Sequence, residues 1–377
     1  MKNSAKKYSG MWSTSPTIGL RVNADFQLSQ LDRRSTPGWD GDKTQAKAFM
    51  KERGAFLNEL QERFFANARN GSDDRRVLVI LQGLDTAGKG GIVRHVFGMM
   101  DPQGLHLASF GKPTDEELSH HFLWRVEKQL PPAGRIGVFD RSHYEDVLIG
   151  RVDQLAEPDE IDRRYEEINA WERSLVDQGY TLIKVAMMPS HREQGLRLAE
   201  RLARRDKWWK YSPGDVTTRG KWDAYQKAYQ IMFERTSTEY APWYVVPADR
   251  KWFPRLAITE LLTQAMVDLG QEWPVPRWQI DVQRRRLLET MAPADVVEAH
   301  KSLKIKAEEV TEEIAELVKV RAGIDAAGDV DDGDRVGTDP AADAETAKAN
   351  ASKKDGKAGK KAAKSGKKAG KKQKKKS

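Results

Sequence analysis

Apolar positions along this chain change period repeatedly, and each change marks an element. Between 44 and 70, Phe56, Leu57, Leu60, Phe64 and Phe65 recur at three- and four-residue spacing, which predicts an amphipathic helix. From 77 to 81 the run VLVIL is apolar throughout, the pattern of a strand covered on both faces. A helical pattern returns at 92–100. Strands are then predicted at 105–110, 135–139, 180–188 and 243–247. They alternate with helices predicted at 114–130, 158–178, 190–205, 221–240 and 252–269. Such alternation implies an α/β fold with a mostly parallel sheet. Ligands of such sheets bind at the carboxyl ends of the strands.

Outside this body the pattern thins. Residues 1–43 are polar with weak periodicity and read as an N-terminal arm. The body spans 44–275. A charged helical extension is predicted over 276–321. From 322 to 377 an Ala/Gly/Asp-rich linker runs into a Lys-rich tail. Neither part of that last stretch carries enough bulky apolar residues to offset ordering entropy, so both are expected to be disordered.

Charge sharpens this division. The formal net charge is +8, but the 13 lysines and one aspartate of 353–377 contribute +12 of it, leaving −4 for the remainder. The body is therefore mildly acidic, and its basicity is an appendage. The chain has no cysteine, which excludes disulfides, thiolate chemistry and cysteine-ligated zinc. No apolar run reaches spanning length and the N-terminus has no apolar leader core, so a cytoplasmic protein without a membrane partner is expected.

The candidate chemistry begins where the first strand ends. Gly83, four residues, then Gly88 and Lys89 match the G-x-x-x-x-G-K spacing of a phosphate-binding loop. Strand, glycine turn and helix come in the order that lets backbone N–H groups face a phosphate. Gly90 and Gly91 follow, where such loops usually carry a hydroxyl that binds Mg²⁺. An acid inside the loop, Asp85, takes that role in our reading, as a metal ligand or as holder of a metal-bound water. The strand at 135–139 runs into Asp140, a second metal carboxylate, and Arg141, a guanidinium able to fork onto phosphate. Glu145 faces either solvent or a substrate group. Arg197, Arg201, Arg204, Arg205 and Lys210 suggest a lid that closes on a polyanion. Trp208 and Trp209 read as packing for its base. Transfer of a phosphoryl group to an acceptor that is itself an ionised phosphate needs no general base, only a cradle, cations and metal ligands.

Five blocks together carry a resemblance. GLDTAGKGG, DPQGLHLASFGKPTDEELSHHFLWRVEKQLPP, IGVFDRSHYEDVLIGRV, REQGLRLAERLARRDKWWKYSPGD and TSTEYAPWYVVPADRKWFPRLA resemble the second family of polyphosphate kinases, in order, from about Thr36 to about Gln271. The resemblance implies a three-layer α/β/α phosphate-loop kinase fold with a helical lid at about 189–218. It implies phosphoryl transfer between inorganic polyphosphate and nucleoside mono-, di- or triphosphates, with Mg²⁺ (or Mn²⁺), by a homo-oligomer, dimer or tetramer. Asp85, Lys89 and Asp140 match the family's loop acid, loop lysine and second acid; Arg141, Arg197 and Arg201 match its arginines. The SHYEDVL and TSTEYAPWYV blocks look like the subgroup that also accepts nucleoside monophosphates, whereas Asp140 and Gly90 look like the subgroup that interconverts di- and triphosphates. ARRDK at 203–207 replaces a more acidic, proline-containing turn, from which a stronger polyanion grip by Arg204 and Arg205 is expected. The Lys-rich tail lies outside the resemblance and is read either as a solubilising tail or as a binder of polyphosphate or nucleic acid. Two rival readings are an ATP-dependent nucleotide kinase and a non-catalytic polyanion- or nucleic-acid-binding protein.

Overall fold

In this computed structural model, residues 11–292, 294, 295 and 298 are described. The linker, the Lys-rich tail and the greater part of the expected helical extension lie outside the described residues. Five strands form one sheet: β1 (Arg76–Gln82), β2 (Leu105–Ser109), β3 (Ile136–Asp140), β4 (Tyr180–Met188) and β5 (Trp243–Pro247). Their order is β2-β3-β1-β4-β5 and every pairing is parallel. The eight longer helices up to Asp268 are α1 (Lys43–Arg69), α2 (Lys89–His95), α3 (Glu145–Val152), α4 (Pro158–Asp177), α5 (His191–Ala203), α6 (Pro213–Gly220), α7 (Trp222–Thr236) and α8 (Trp252–Asp268).

Both faces of the sheet are buried along β1, β3, β4 and β5, which is why these strands read as apolar runs, while the edge strand β2 is only partly covered. Val77, Val79 and Leu81 of β1 point into a core shared with α1, α2 and α8. Leu78 and Ile80 point into a second core with α3, α4 and α7. This is the expected three-layer α/β/α arrangement. The long helices start where local chemistry allows. Asp42 accepts from Thr44 N and Gln45 N while the Gln45 side chain returns to Asp42 N, a reciprocal cap for α1. Pro158 occupies the first turn of α4.

Three local expectations are corrected. The single helix predicted over 114–130 is two short ones, Asp115–Leu118 and Trp124–Glu127. Ser119 turns its hydroxyl back to Glu116 O at 2.7 Å and ends the first. His121 then pairs with Glu167 at 2.9 Å, and His120 stacks on Trp124. The helices α3 and α6 were not predicted; each has eight residues, too short to display a period. The segment read as an arm is packed on the body from Met11 onward. Trp39 and Leu28 are buried, and Leu20 to Val22 lies antiparallel along β5, with Val22 N donating to Trp243 O and Val245 N to Leu20 O, both at 2.9 Å.

The second core holds a polar knot. Lys184, on β4, is fully buried, and its Nζ donates to Glu172 Oε2 at 2.6 Å, Tyr144 OH at 2.9 Å and Thr236 O at 2.7 Å. The Tyr144 hydroxyl in turn donates to Glu172 Oε1 at 2.7 Å. Burial alone would raise the Glu172 pKa, but the Lys184 ammonium and His143 outweigh it and hold the carboxyl below its ordinary value. A separate unit begins at Asp281; it contains most of the helix Ile280–Glu289.

Candidate active site

The loop from Gly83 to Gly88 joins β1 to α2 at the carboxyl edge of the sheet. Its backbone needs glycine at both ends. Gly83 has φ +148, and a Cβ there would meet Met187 O at 2.7 Å and Ala87 Cβ at 2.8 Å. Gly88 has φ +118. Between them Thr86 also lies at positive φ, and its buried hydroxyl oxygen has no hydrogen-bond partner. Gly90 is open: a Cβ there would meet nothing within 4 Å. Gly91, beside it, also lines the cleft.

Lys89 closes the loop from the helix side. Its Nζ donates to Gly83 O at 2.6 Å and stands 4.0 Å from Asp140 Oδ1. Burial lowers its pKa, and the Asp140 carboxylate opposes that shift. Asp140 reaches this position because β3 pairs with β1 in a register that sets it opposite Leu81, next to the last residue of β1 before the loop. The next residue, Arg141, adopts φ +67 and donates its backbone N–H to Leu81 O. That sharp bend returns its guanidinium to Asp85, with Nη2 2.7 Å from Oδ1. Burial would lower the Arg141 pKa, but Glu145, Asp85 and Asp140 outweigh it and raise the value.

Four of the expected residues thus lie together: Asp85, Lys89, Asp140 and Arg141. The arginines of the lid stretch divide. Arg197 is buried, and its guanidinium is committed to protein oxygens. It donates to Thr86 O at 2.9 Å, Ala87 O at 3.0 Å and Asp249 O at 3.3 Å, also to Ala248 O, and its Nε to Glu193. Its place differs from that of a guanidinium aimed at a phosphate: it ties the loop to the turn after β5. Arg201 lines the cleft while bonded to Asp215 Oδ2 and Lys210 O, both at 3.0 Å. Arg204 is turned away, bonded to Glu200 and Asp206, and neither it nor Arg205 lines the cleft. Lys207 and Lys210 line it instead. Burial lowers the Lys210 pKa, and Lys207, Arg94 and Arg201 add to the shift, a crowding of like charge.

Two further cations come from outside the lid. Lys251 and Arg255 line the same cleft from the start of α8, one turn apart. Burial lowers the Arg255 pKa with no anion opposing it. Both lie just past the carboxyl end of β5, so their position relative to a strand end was the available signal. The resulting cleft has a volume of about 450 Å³ and carries Lys89, Arg141, Arg197, Arg201, Lys207, Lys210, Lys251 and Arg255 against Asp85, Asp140 and Glu200.

A second cleft of about 330 Å³ lies on the other side of Asp85 and Arg141. Leu148, Ile149, Tyr225 and Tyr229 line it beside Glu145 and Asp215. Gln82, the last residue of β1, is buried under it. With its amide nitrogen toward the carboxylate it donates to Glu145 Oε1 at 2.9 Å and accepts from Ser142 N at 3.2 Å. Burial raises the Glu145 pKa above the ordinary 4.5, against the pull of Arg141 and Lys89. A carboxyl raised in the fold favours the folded state most below pH 4.5 and loses that contribution as pH rises through the folded value. Its charge is therefore a cost at neutral pH. Glu145→Gln is expected to raise the thermal midpoint at neutral pH, with the difference vanishing toward pH 4.5, while turnover falls. Melts across that range check the first part, and an activity assay the second.

Among the described residues no group of three or more His, Asp or Glu side chains could hold a metal ion by itself. Asp85 and Asp140 would supply at most two carboxylates, which suits an ion that takes its remaining ligands from phosphate oxygens and water. No helix among the described residues is long and apolar enough to cross a membrane.

Comparison with known proteins agrees with this geometry. The profile of polyphosphate kinase 2 matches residues 38–272. A curated protein of Meiothermus ruber, an AMP/ADP-polyphosphate phosphotransferase, is 40% identical over 258 residues, 68% of this chain and 95% of that one. An ADP-polyphosphate phosphotransferase of Rhodopseudomonas palustris is 37% identical over 58% of this chain and 78% of its own length. Among solved structures, polyphosphate kinase 2 from Arthrobacter aurescens TC1 is 50% identical and superposes with a TM-score of 0.72, covering 74% of this chain and 98% of that one. With the loop, the two aspartates and the cationic cleft in one place, and a profile match across the whole α/β body, the chain belongs to the polyphosphate kinase 2 family.

Proposed function

We propose that this enzyme holds polyphosphate in the cationic cleft and the nucleotide in the cleft beyond Asp85 and Arg141, and passes a phosphoryl group across the boundary between them. The chain is a polyphosphate kinase, transferring phosphoryl groups between polyphosphate and nucleotides. The observation that carries the finer reading is the meeting of two unlike clefts at one ion pair. One is dominated by cations, with Ile92, Phe110, Met187 and Pro254 among them; the other has a single cation, Arg141, and the tyrosines and aliphatics that suit a base and ribose.

In this reading Lys89 and the loop bind the transferred group, and Arg141 follows its charge from donor to acceptor. Arg197 acts as a positioning residue for the loop. The lid, about 189–218, brings Arg201, Lys207 and Lys210 over the polyphosphate. Asp85 and Asp140 would hold Mg²⁺, with Mn²⁺ as a substitute. Such an ion, when bound, neutralises phosphate oxygens and orients them for in-line attack. The acceptor's own phosphate oxygen is the nucleophile, and no side chain need remove a proton. Both AMP and ADP are proposed as acceptors, supported by the near full-length likeness to the Meiothermus protein. A homo-oligomer in the cytoplasm is part of the same reading.

The test is direct. The purified protein is incubated with a divalent ion and long-chain polyphosphate, with ADP, GDP or AMP supplied separately, and the nucleotides are resolved. Products that appear only with polyphosphate support the reading, and their pattern assigns the acceptors. Transfer from ATP alone, without polyphosphate in either direction, would favour an ordinary nucleotide kinase.

A further inference from the structure

Lys43, Lys47 and Lys51 stand at four-residue intervals on one face of α1, all exposed. As structural residues they are badly placed. Like charges at this spacing destabilise a helix. Cations in its first turns also oppose the helix dipole, whose positive end lies there. None of the three has a hydrogen-bond or ion-pair partner among the described residues, so no local interaction offsets these costs.

They form one wall of a groove of about 990 Å³ whose other side carries Arg250, Lys251 and Arg255. The acids of the groove are already engaged. Asp42 caps α1, Asp249 accepts from Ser190 N at 2.6 Å, and Glu193 accepts from Arg197 Nε at 2.9 Å. The three lysines of α1 thus face the groove without an ion-pair partner among the described residues, whereas Lys251 pairs with Glu200 at 3.3 Å. The groove adjoins the cleft at the phosphate loop, with Lys251 and Arg255 lining both.

We propose that this groove is a distal subsite for polyphosphate: a chain whose end lies at Lys89 continues past Lys251 and Arg255 and runs along the lysines of α1. The inference rests on the reading of the first cleft as the polyphosphate site, and adds that this chain measures the length of its substrate. An inorganic polyanion fits better than a single-stranded nucleic acid, which is held by stacking as well as by charge. The aromatic lining here is Trp252, whose ring is already packed edge-on against Phe253, and the small ring of His95.

The test compares the parent with the triple variant Lys43→Gln, Lys47→Gln, Lys51→Gln, using long-chain polyphosphate and tripolyphosphate as alternative donors at saturating ADP. For long chains KM is expected to rise on the order of tenfold and its salt dependence to become shallower, as fewer phosphates are contacted. KM for tripolyphosphate and kcat for both donors stay at parent values. The variant's thermal midpoint is expected to be unchanged or raised, since a like-charge ladder is removed. Equal effects on both donors, or none on either, overturn the subsite. An oligothymidylate of the same charge that protects the groove lysines from acetylation as well as long polyphosphate does also overturns it, in favour of nucleic acid. If the parent enzyme uses no polyphosphate of any length, the function reading itself has failed, which is a separate result.

Discussion

Lys89→Met is expected to lower kcat by roughly 10²–10³-fold while leaving the protein folded. The ammonium sits 4.0 Å from Asp140 and is held by Gly83 O, at the one point where loop, second aspartate and cleft meet. A cation there acts on charge that grows during transfer, so kcat and kcat/KM should fall together rather than KM rising alone. Methionine keeps the length and fills the same space. Because burial disfavours the charged lysine, its removal should not lower the thermal midpoint. Steady-state kinetics with polyphosphate and ADP, beside a melt of the same sample, check both halves. Turnover at the parent rate would show that Lys89 does not touch the transferred group.

The second large effect lies away from the chemistry. Lys184→Met is expected to cost about 3–5 kcal/mol of stability, because it leaves the Glu172 carboxylate buried without its cation. The double variant Lys184→Met, Glu172→Leu should recover most of that loss, since an apolar pair of similar volume removes both charges from the core. Urea unfolding of parent, single and double variants measures the difference. A single variant within about 1 kcal/mol of the parent would mean that Glu172 takes up a proton or finds another partner. Acid offers an independent reading of the same pair. The Glu172 pKa is depressed in the fold, so its contribution is present above the ordinary carboxylate value and is lost as pH falls through the folded one.

Most of the sheet was legible because β1, β3, β4 and β5 are buried on both faces: VLVIL and its counterparts can be little else between turns. The loop was legible for a related reason, since a backbone at φ +148 with Met187 O at 2.7 Å from any added Cβ admits only glycine, and the spacing survives in the letters. What could not be read was which way a charged side chain turns. Arg197, Arg201 and Arg204 share one stripe of the helix predicted over 190–205, yet that helix ends at Ala203, and one arginine clamps backbone oxygens, one meets Asp215 and one faces Glu200 and Asp206. Those outcomes depend on partners brought from the turn after β5 and from α6. Lys251 and Arg255 were missed for the same reason: a cation reveals its role only when the strand beneath it is placed. Lys184 was hidden inside an apolar strand, where one charged letter gives no hint of a carboxylate on α4.

The antiparallel pairing of Leu20–Val22 with β5 also governs the order of assembly. Arg21 and Glu239, which touch across this seam, are 218 positions apart. At a synthesis rate of about 5–20 residues per second, this stretch waits roughly ten to forty seconds for the strand it must lie against. Throughout that interval the edge that β5 will occupy is open, and Leu20 and Val22 are exposed apolar side chains. The segment around Leu20–Val22 therefore serves as a latch that can close only once a strand made much later is in place.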